Sequence, residues 1–382
     1  MQSRLLPTCR WKAVLFVVIS FCCLTPKSWS QDPSFSQFYA NRIYLNPAFT
    51  GLDRGVAVSG VSRAQWLRVD RAFLTYGLTA EMQIPIVRLG LGLHLMRDEE
   101  GIGALTTQQA GLALSYTIPG EKNNFHFGFE GRLVQKTIDW NKLVFSDQLD
   151  PVFGVVSASS AVPATENILY GDVDFGMVWR SETSLRSGRK GLSQIRSHLG
   201  FSMNHLPQLF NKSARGSDSF LNRDVAIAPR TTLHGGLIIP VHFLSGVGEE
   251  IAISPNFKFD VQGYGFLNFP NSLTVGTVGL YTLLDHFHLG LFYQNKYYAP
   301  DGTHTDALIV SVGGQTNPGG RENPKKPSMI FGLSADFNNT GLSAAAGSVF
   351  ELTFRIVFPA SAGARGRSRS SSRKILDCKS FF

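Results

Sequence analysis

Between residues 56 and 358, apolar side chains return at every second position in fourteen separate stretches, and this period narrows the available folds more than any other feature of the chain. Leu89, Leu91, Leu93 and Leu95 alternate with Gly90, Gly92 and His94, and Phe125, Phe127 and Phe129 with His126 and Gly128. Val173, Phe175, Met177 and Trp179 alternate in the same way with Asp172, Asp174 and Gly176. Successive side chains of an extended chain point to opposite faces, so each stretch is a strand with one greasy side.

The stretches fall at 56–66, 74–84, 88–96, 108–118, 125–134, 170–180, 196–204, 230–240, 250–259, 272–281, 287–294, 306–313, 329–337 and 350–358. A soluble β-sandwich also alternates, but its polar face is usually rich in Lys, Glu and Thr. Here the second face is often Gly, Ser, Thr or Ala, which suits a barrel lumen. Membrane-spanning strands need about 9–11 residues, and bacterial barrels use even strand numbers. The expected fold is therefore all-β: a transmembrane antiparallel β-barrel of about fourteen strands at 55–358. Its last stretch, 350–358, ends on Phe358 and reads as the closing strand.

Polar breaks separate the strands, among them Arg97-Asp98-Glu99-Glu100-Gly101, 119–124 and Pro300-Asp301-Gly302. Longer segments near 136–168, 211–229 and 314–328 read as excursions outside the membrane. The segment 31–54 is aromatic without a sustained period, and is expected to be an ordered lead-in that tucks against or into the barrel.

The ends differ from the middle. Arg4, Arg10 and Lys12, the apolar run Ala13 to Leu24 and the small-residue site Ser28-Trp29-Ser30 read as a cleaved secretory signal over 1–30, with the mature chain starting at Gln31. The run is shorter than the roughly 20 residues of a spanning helix. Cys9, Cys22 and Cys23 lie in that signal, which leaves Cys378 and no internal disulfide or cysteine metal cluster. The formal charge of +8 is terminal: the signal carries +4 and the tail 359–382 carries +5, so the body sums to −1. A nucleic-acid-binding domain has no support in that balance. The Ser/Arg-rich tail reads as disordered by composition.

Several motifs resemble the PorP/SprF family of the Bacteroidetes. They are Gln31-Asp32-Pro33-Ser34-Phe35-Ser36-Gln37-Phe38 with Tyr44-Leu45-Asn46-Pro47-Ala48-Phe49-Thr50-Gly51, then Arg63-Ala64-Gln65-Trp66, the loop from Ile138 to Asp150, Gly200-Phe201-Ser202-Met203-Asn204-His205-Leu206, and finally Asp336-Phe337-Asn338 with Phe350-Glu351-Leu352. The basic tail and the stretch at 181–194 depart from that pattern. The resemblance implies an outer-membrane component of the type IX secretion system. Its expected partners are outer-membrane lipids, periplasmic or lipoprotein components of the machinery and, for some paralogues, a large gliding-type surface adhesin.

Catalytic signatures are lacking: there is no His-Glu-x-x-His, Gly-x-Ser-x-Gly or Walker loop, and the nine histidines are scattered. His94, His126 and His288 occupy polar strand positions and read as lumen or interface hydrogen-bonding groups. Asp98-Glu99-Glu100 and Asp172-x-Asp174 carry oxygens that suit Ca²⁺, but such sites need six to eight of them, so a solvated loop and a lumen-facing pair are the expected readings. No cofactor is expected. The partner-contact candidates are Tyr44, Asn46, Asp139, Trp140, Asn204 and His205, against the plainer reading that Tyr44 and Trp140 only pack a plug or loop or anchor at the interface girdle. The leading function is a non-enzymatic scaffold. The alternatives are a channel for small or hydrophobic solutes and, with no supporting residue spacing, an outer-membrane hydrolase.

Overall fold

The computed structural model describes residues 32–359, except 54, 70–72, 102–104, 158, 160–164, 187–191, 211–219, 221–226, 242–250, 264–271, 285, 299–301, 317–325 and 340–346. The expected signal over 1–30 and the tail beyond Pro359 lie outside the described residues.

All fourteen expected stretches are strands, and they close into one antiparallel barrel. In chain order these are β1 (Gly55–Gln65), β2 (Phe73–Ile84), β3 (Leu89–Glu100), β4 (Leu105–Pro119), β5 (Asn123–Ile138), β8 (Asn167–Arg186), β9 (Leu192–Asn204), β10 (Arg230–Val241), β11 (Ile251–Gln262), β12 (Leu273–Leu284), β13 (Phe287–Tyr298), β14 (Thr303–Thr316), β15 (Ser328–Asn338) and β16 (Val349–Pro359). Each pairs with its sequence neighbours, β5 with β8, and β1 closes on β16 from Gly55↔Pro359 to Gln65↔Val349. The two short strands β6 (Leu149–Asp150) and β7 (Gly154–Val155) form a separate hairpin in the connection after β5.

The alternation seen in the sequence is the alternation of the wall. Leu112, Leu114, Phe129, Leu133 and Leu291 are exposed on the outer face, where a soluble protein would not gather them, while Ala113, His94 and Val134 point inward and are buried. Several strands outrun their apolar stretches. Asp98, Glu99 and Glu100, read above as part of a turn, belong to β3 and pair with Leu74–Thr75 and Phe73 on one side and Leu105–Thr107 on the other. Pairing continues beyond the apolar band because backbone groups still need partners there, although the side chains no longer need to be greasy.

The inner face also differs from a lining of small polar residues. Arg63, Glu81, Glu130, Arg132, Asp172, Asp174, Arg230, Glu351 and Arg355 all point inward and are buried. They tolerate burial because some pair across the wall, as Arg132 does with Asp172 and Asp174, and because the lead-in enters the lumen and supplies partners to Arg63, Glu81, Arg230, Glu351 and Arg355. It contains a helical turn at Arg42–Leu45 and a 3-10 turn at Pro47–Phe49. Phe38, Tyr39, Leu45, Phe49 and Leu52 form an apolar core with Val178, Tyr281, Phe292 and Ile309 of the wall.

Strand direction sorts the connections. Those after β1, β3, β5, β9, β11, β13 and β15 lie at one end, here the loop end, which carries the two longest, 139–166 and 205–229. Gly55 and Pro359 mark the opposite, turn end.

Candidate functional site

Three charge clusters hold the lead-in along the length of the lumen. At the loop end, Asp32 lies 3.1 Å from His205 Nε2 and 3.3 Å from Arg230 Nη1. His205 Nδ1 is 2.6 Å from Asp172, and Arg132 spans Asp172 and Asp174 at 2.7 and 2.8 Å. Arg230 donates to Tyr44 Oη at 2.7 Å and sits 4.5 Å over its ring, while the Tyr44 hydroxyl donates to the Pro33 carbonyl. Asn204 joins the set by accepting from Arg230 and donating to Asp174. Three carboxylates thus meet His205, Arg132 and Arg230.

His205 follows β9 directly and takes φ 62°, a left-handed conformation that His tolerates better than most residues. Its backbone N–H is held by Asp174, and Leu206 N–H by the Val173 carbonyl. Burial works against charging the ring, but Asp32 and Asp172 outweigh it and raise its pKa to about 10. Burial also opposes the Asp32 charge, and there His205 and Arg230 win, holding the carboxyl well below the usual range. The tip of the lead-in is therefore an ion pair throughout the neutral range.

At mid-depth Asn46 is fully buried. Its Oδ1 caps Ala48 N–H at 3.0 Å, and its Nδ2 donates to the carbonyls of Met177 and Phe201. The wall makes room with glycine: a Cβ at Gly176 would run into Asn46 Oδ1, and one at Gly128 into the Pro47–Ala48 backbone. These two glycines are register partners on β8 and β5.

Beside the β1–β16 seam, Glu351 accepts from the backbone N–H groups of Ser36 and Gln37, each at 2.8 Å, and pairs with Arg63 at 3.0 Å. Ser36 Oγ donates to Asp336, which also pairs with Arg63. Toward the turn end, Asp53 pairs with Arg42 at 3.2 Å and with Arg355. Arg355 also meets Glu81, which accepts from Gly51 N–H.

The structure thus draws Tyr44, Asn204 and His205 into the loop-end cluster and buries Asn46 separately, at mid-depth inside the barrel. Asp139 and Trp140 stay on the long connection after β5, where Asp139 pairs with Lys142 and Trp140 packs on Phe145 with ring centroids 5.1 Å apart. His94 and His126 meet Glu130 and Thr117 in the lumen. Asp172 and Asp174 are neutralised by Arg132 and His205, and among the described residues no group of three or more His, Cys, Asp or Glu side chains is placed to hold a metal. Arg132, Arg230 and Arg355 did not stand out in the sequence, and Glu351 did so only as part of the Phe350-Glu351-Leu352 motif, without a role. The signal that could have found them is charge recurring on inward strand positions opposite an aromatic lead-in.

No curated protein matches the chain. Among solved structures it is similar to CdiB from Acinetobacter baumannii (7% identity, 80% of this chain and 60% of that one, TM-score 0.40) and to the outer membrane protein Omp33 of the same organism (7%, 81% and 100%, TM-score 0.36). It is also similar to a TodX mutant monoaromatic hydrocarbon channel (11%, 83% and 94%, TM-score 0.40). The chain spans about 60% of the length of CdiB, and likenesses this distant add nothing to the strand pairing described above. The family profile described as type IX secretion system membrane protein PorP/SprF matches residues 28–356, which is nearly the whole barrel and its lead-in. With that match and the closed barrel together, the chain belongs to the PorP/SprF family of type IX secretion system membrane proteins and is an outer-membrane β-barrel.

Proposed function

We propose that the protein is a non-enzymatic scaffold of the secretion machinery: a plugged barrel that tethers periplasmic or lipoprotein components and assists secretion or surface attachment of adhesins. The observation that carries this reading is the lead-in, fastened at the loop end through Asp32, beside the seam through Ser36 and Gln37, and toward the turn end through Asp53. A pore has little use for a segment buried along its axis by three ionic clusters, whereas a platform gains rigidity from it. Family membership supplies the machinery. Asp139 and Trp140 are the partner-contact candidates that sit on a loop, while Tyr44, Asn46, Asn204 and His205 serve partners indirectly by fixing the plug.

The test pairs two measurements on the full chain. In planar bilayers the purified protein is expected to leave conductance at the bare-membrane level, and from native envelopes it is expected to bring other secretion components with it. Steady conductance from the intact protein, with nothing co-purifying, would establish the channel alternative instead.

A further inference from the structure

The connection between β5 and β8 begins where the outward positions of β5 turn polar. Outward positions on β5 change from Phe129 and Leu133 to Gln135 and Thr137, and the ladder with β8 continues to Thr137↔Asn167. The segment above that level holds six large apolar side chains that are more than half exposed: Val144, Leu149, Val152, Phe153, Val155 and Val156. Val152 and Phe153, at the tip of the β6–β7 hairpin, are 79% and 80% exposed. Water-facing apolar groups gathered this closely mark an interaction site.

The tip is built to stay out. Asp150 accepts from the backbone N–H groups of Val152 and Phe153 at 2.8 and 2.9 Å, and these bonds hold its carboxyl below the usual range. Gly154 closes the turn at φ 73°, a conformation a side chain would strain. Below the tip, Val156 N–H donates to the Gln148 carbonyl, and Ser157 and Ser159 donate to Asp147. Pre-organisation of this kind lowers the ordering cost of binding.

We infer that the β6–β7 tip is a docking knob for a protein partner whose apolar pocket is rimmed by lysine or arginine. Charge selects the partner. The connection 139–166 carries Asp139, Asp147, Asp150 and Glu166 against Lys142 alone. An anionic lipid surface is repelled by that balance, and a cation-rimmed pocket is attracted. Val152 and Phe153 fill the pocket, and the acids below them meet its rim.

This knob rests on the scaffold reading, and one experiment separates the two. Tagged full-length wild type, Val152→Ser/Phe153→Ser, and Ile86→Ser as a control at an exposed turn-end position are purified from native envelopes, and each companion protein is identified and re-tested with purified components. The expected result is a companion that binds wild type and Ile86→Ser directly, falls about tenfold or more with the double variant, and weakens between about 0.05 and 0.5 M salt. A companion that stays with the double variant overturns the knob and leaves the scaffold standing. No companion with wild type sinks the scaffold, and the knob with it. Tip-dependent binding of the wild type to phosphatidylglycerol vesicles, without a protein companion, replaces the partner with a membrane surface and overturns the proposal.

Discussion

Arg63 and Glu351 are register partners across the seam between the first and last strands, and the carboxylate that pairs with Arg63 is the one that holds the backbone of Ser36 and Gln37. Closing the barrel and seating the plug therefore use the same side chain. Glu351→Ala removes one of the two carboxylates that hold the buried Arg63 guanidinium and leaves two backbone N–H groups without their acceptor, at a cost of about 2–5 kcal/mol. The expected outcome is a marked fall in the unfolding temperature of the detergent-solubilised barrel, with a smaller fall for Glu351→Gln, which keeps the shape and one acceptor.

The loop-end cluster makes plug stability depend on pH in a definite direction. The folded pKa of His205 is raised to about 10 from an ordinary value near 6.5, so its stabilisation is complete below about pH 6.5, declines above it and is gone by about pH 10. Asp32 is lowered, so its contribution is present above its ordinary range and is lost only in strong acid. Urea unfolding followed from pH 6 to pH 10 is expected to show falling stability for the wild type. His205→Gln is expected to be weaker at pH 6 and to have a flatter profile; parallel profiles would remove His205 from the clamp.

The glycine seat under Asn46 predicts a way to dislodge the plug from its wall. Gly176→Val places a branched side chain where Asn46 Oδ1 now lies, and overpacking of this kind costs about 1–3 kcal/mol. Limited proteolysis is expected to cut the lead-in of this variant faster than that of the wild type, and its single-channel current is expected to rise above the wild-type baseline.

The course of the lead-in also predicts an accessibility pattern. Asp32 is held beside the ends of β9 and β10 that carry the long loops, while β16 finishes at the other end. Long loops of such barrels face the exterior. An epitope inserted just before Asp32 is expected to be labelled on intact cells, and one placed after Pro359 only after permeabilisation. Equal labelling of both would refute this orientation.

The strands were legible because a period of two is a local property. Leu89 to Leu95 or Phe350 to Phe358 declare a lipid-facing surface without reference to any other part of the chain. Their ends were less legible: β5 runs to Ile138 and β8 to Arg186, where pairing persists but alternation against lipid does not. The lumen was legible only in fragments. Tyr44, Asn46, Asn204 and His205 stood out through family motifs, whereas Arg132 and Arg230 look like any polar residue on a strand. What makes them special is a partner elsewhere in the chain, 186 residues away for Arg230 and Tyr44, and period-two reading carries no information about such pairs.

The lead-in enters at one mouth of the cylinder and becomes β1 at the other, so the protein is threaded through itself. A cylinder that closed without its thread would trap Arg132, His205 and Arg230 against only two of their three carboxylates and leave Glu351 without its backbone donors. Closure is therefore self-inspecting: the seam reaches its full stability only around an occupied lumen, and an empty barrel is penalised by its own charges before it is ever used.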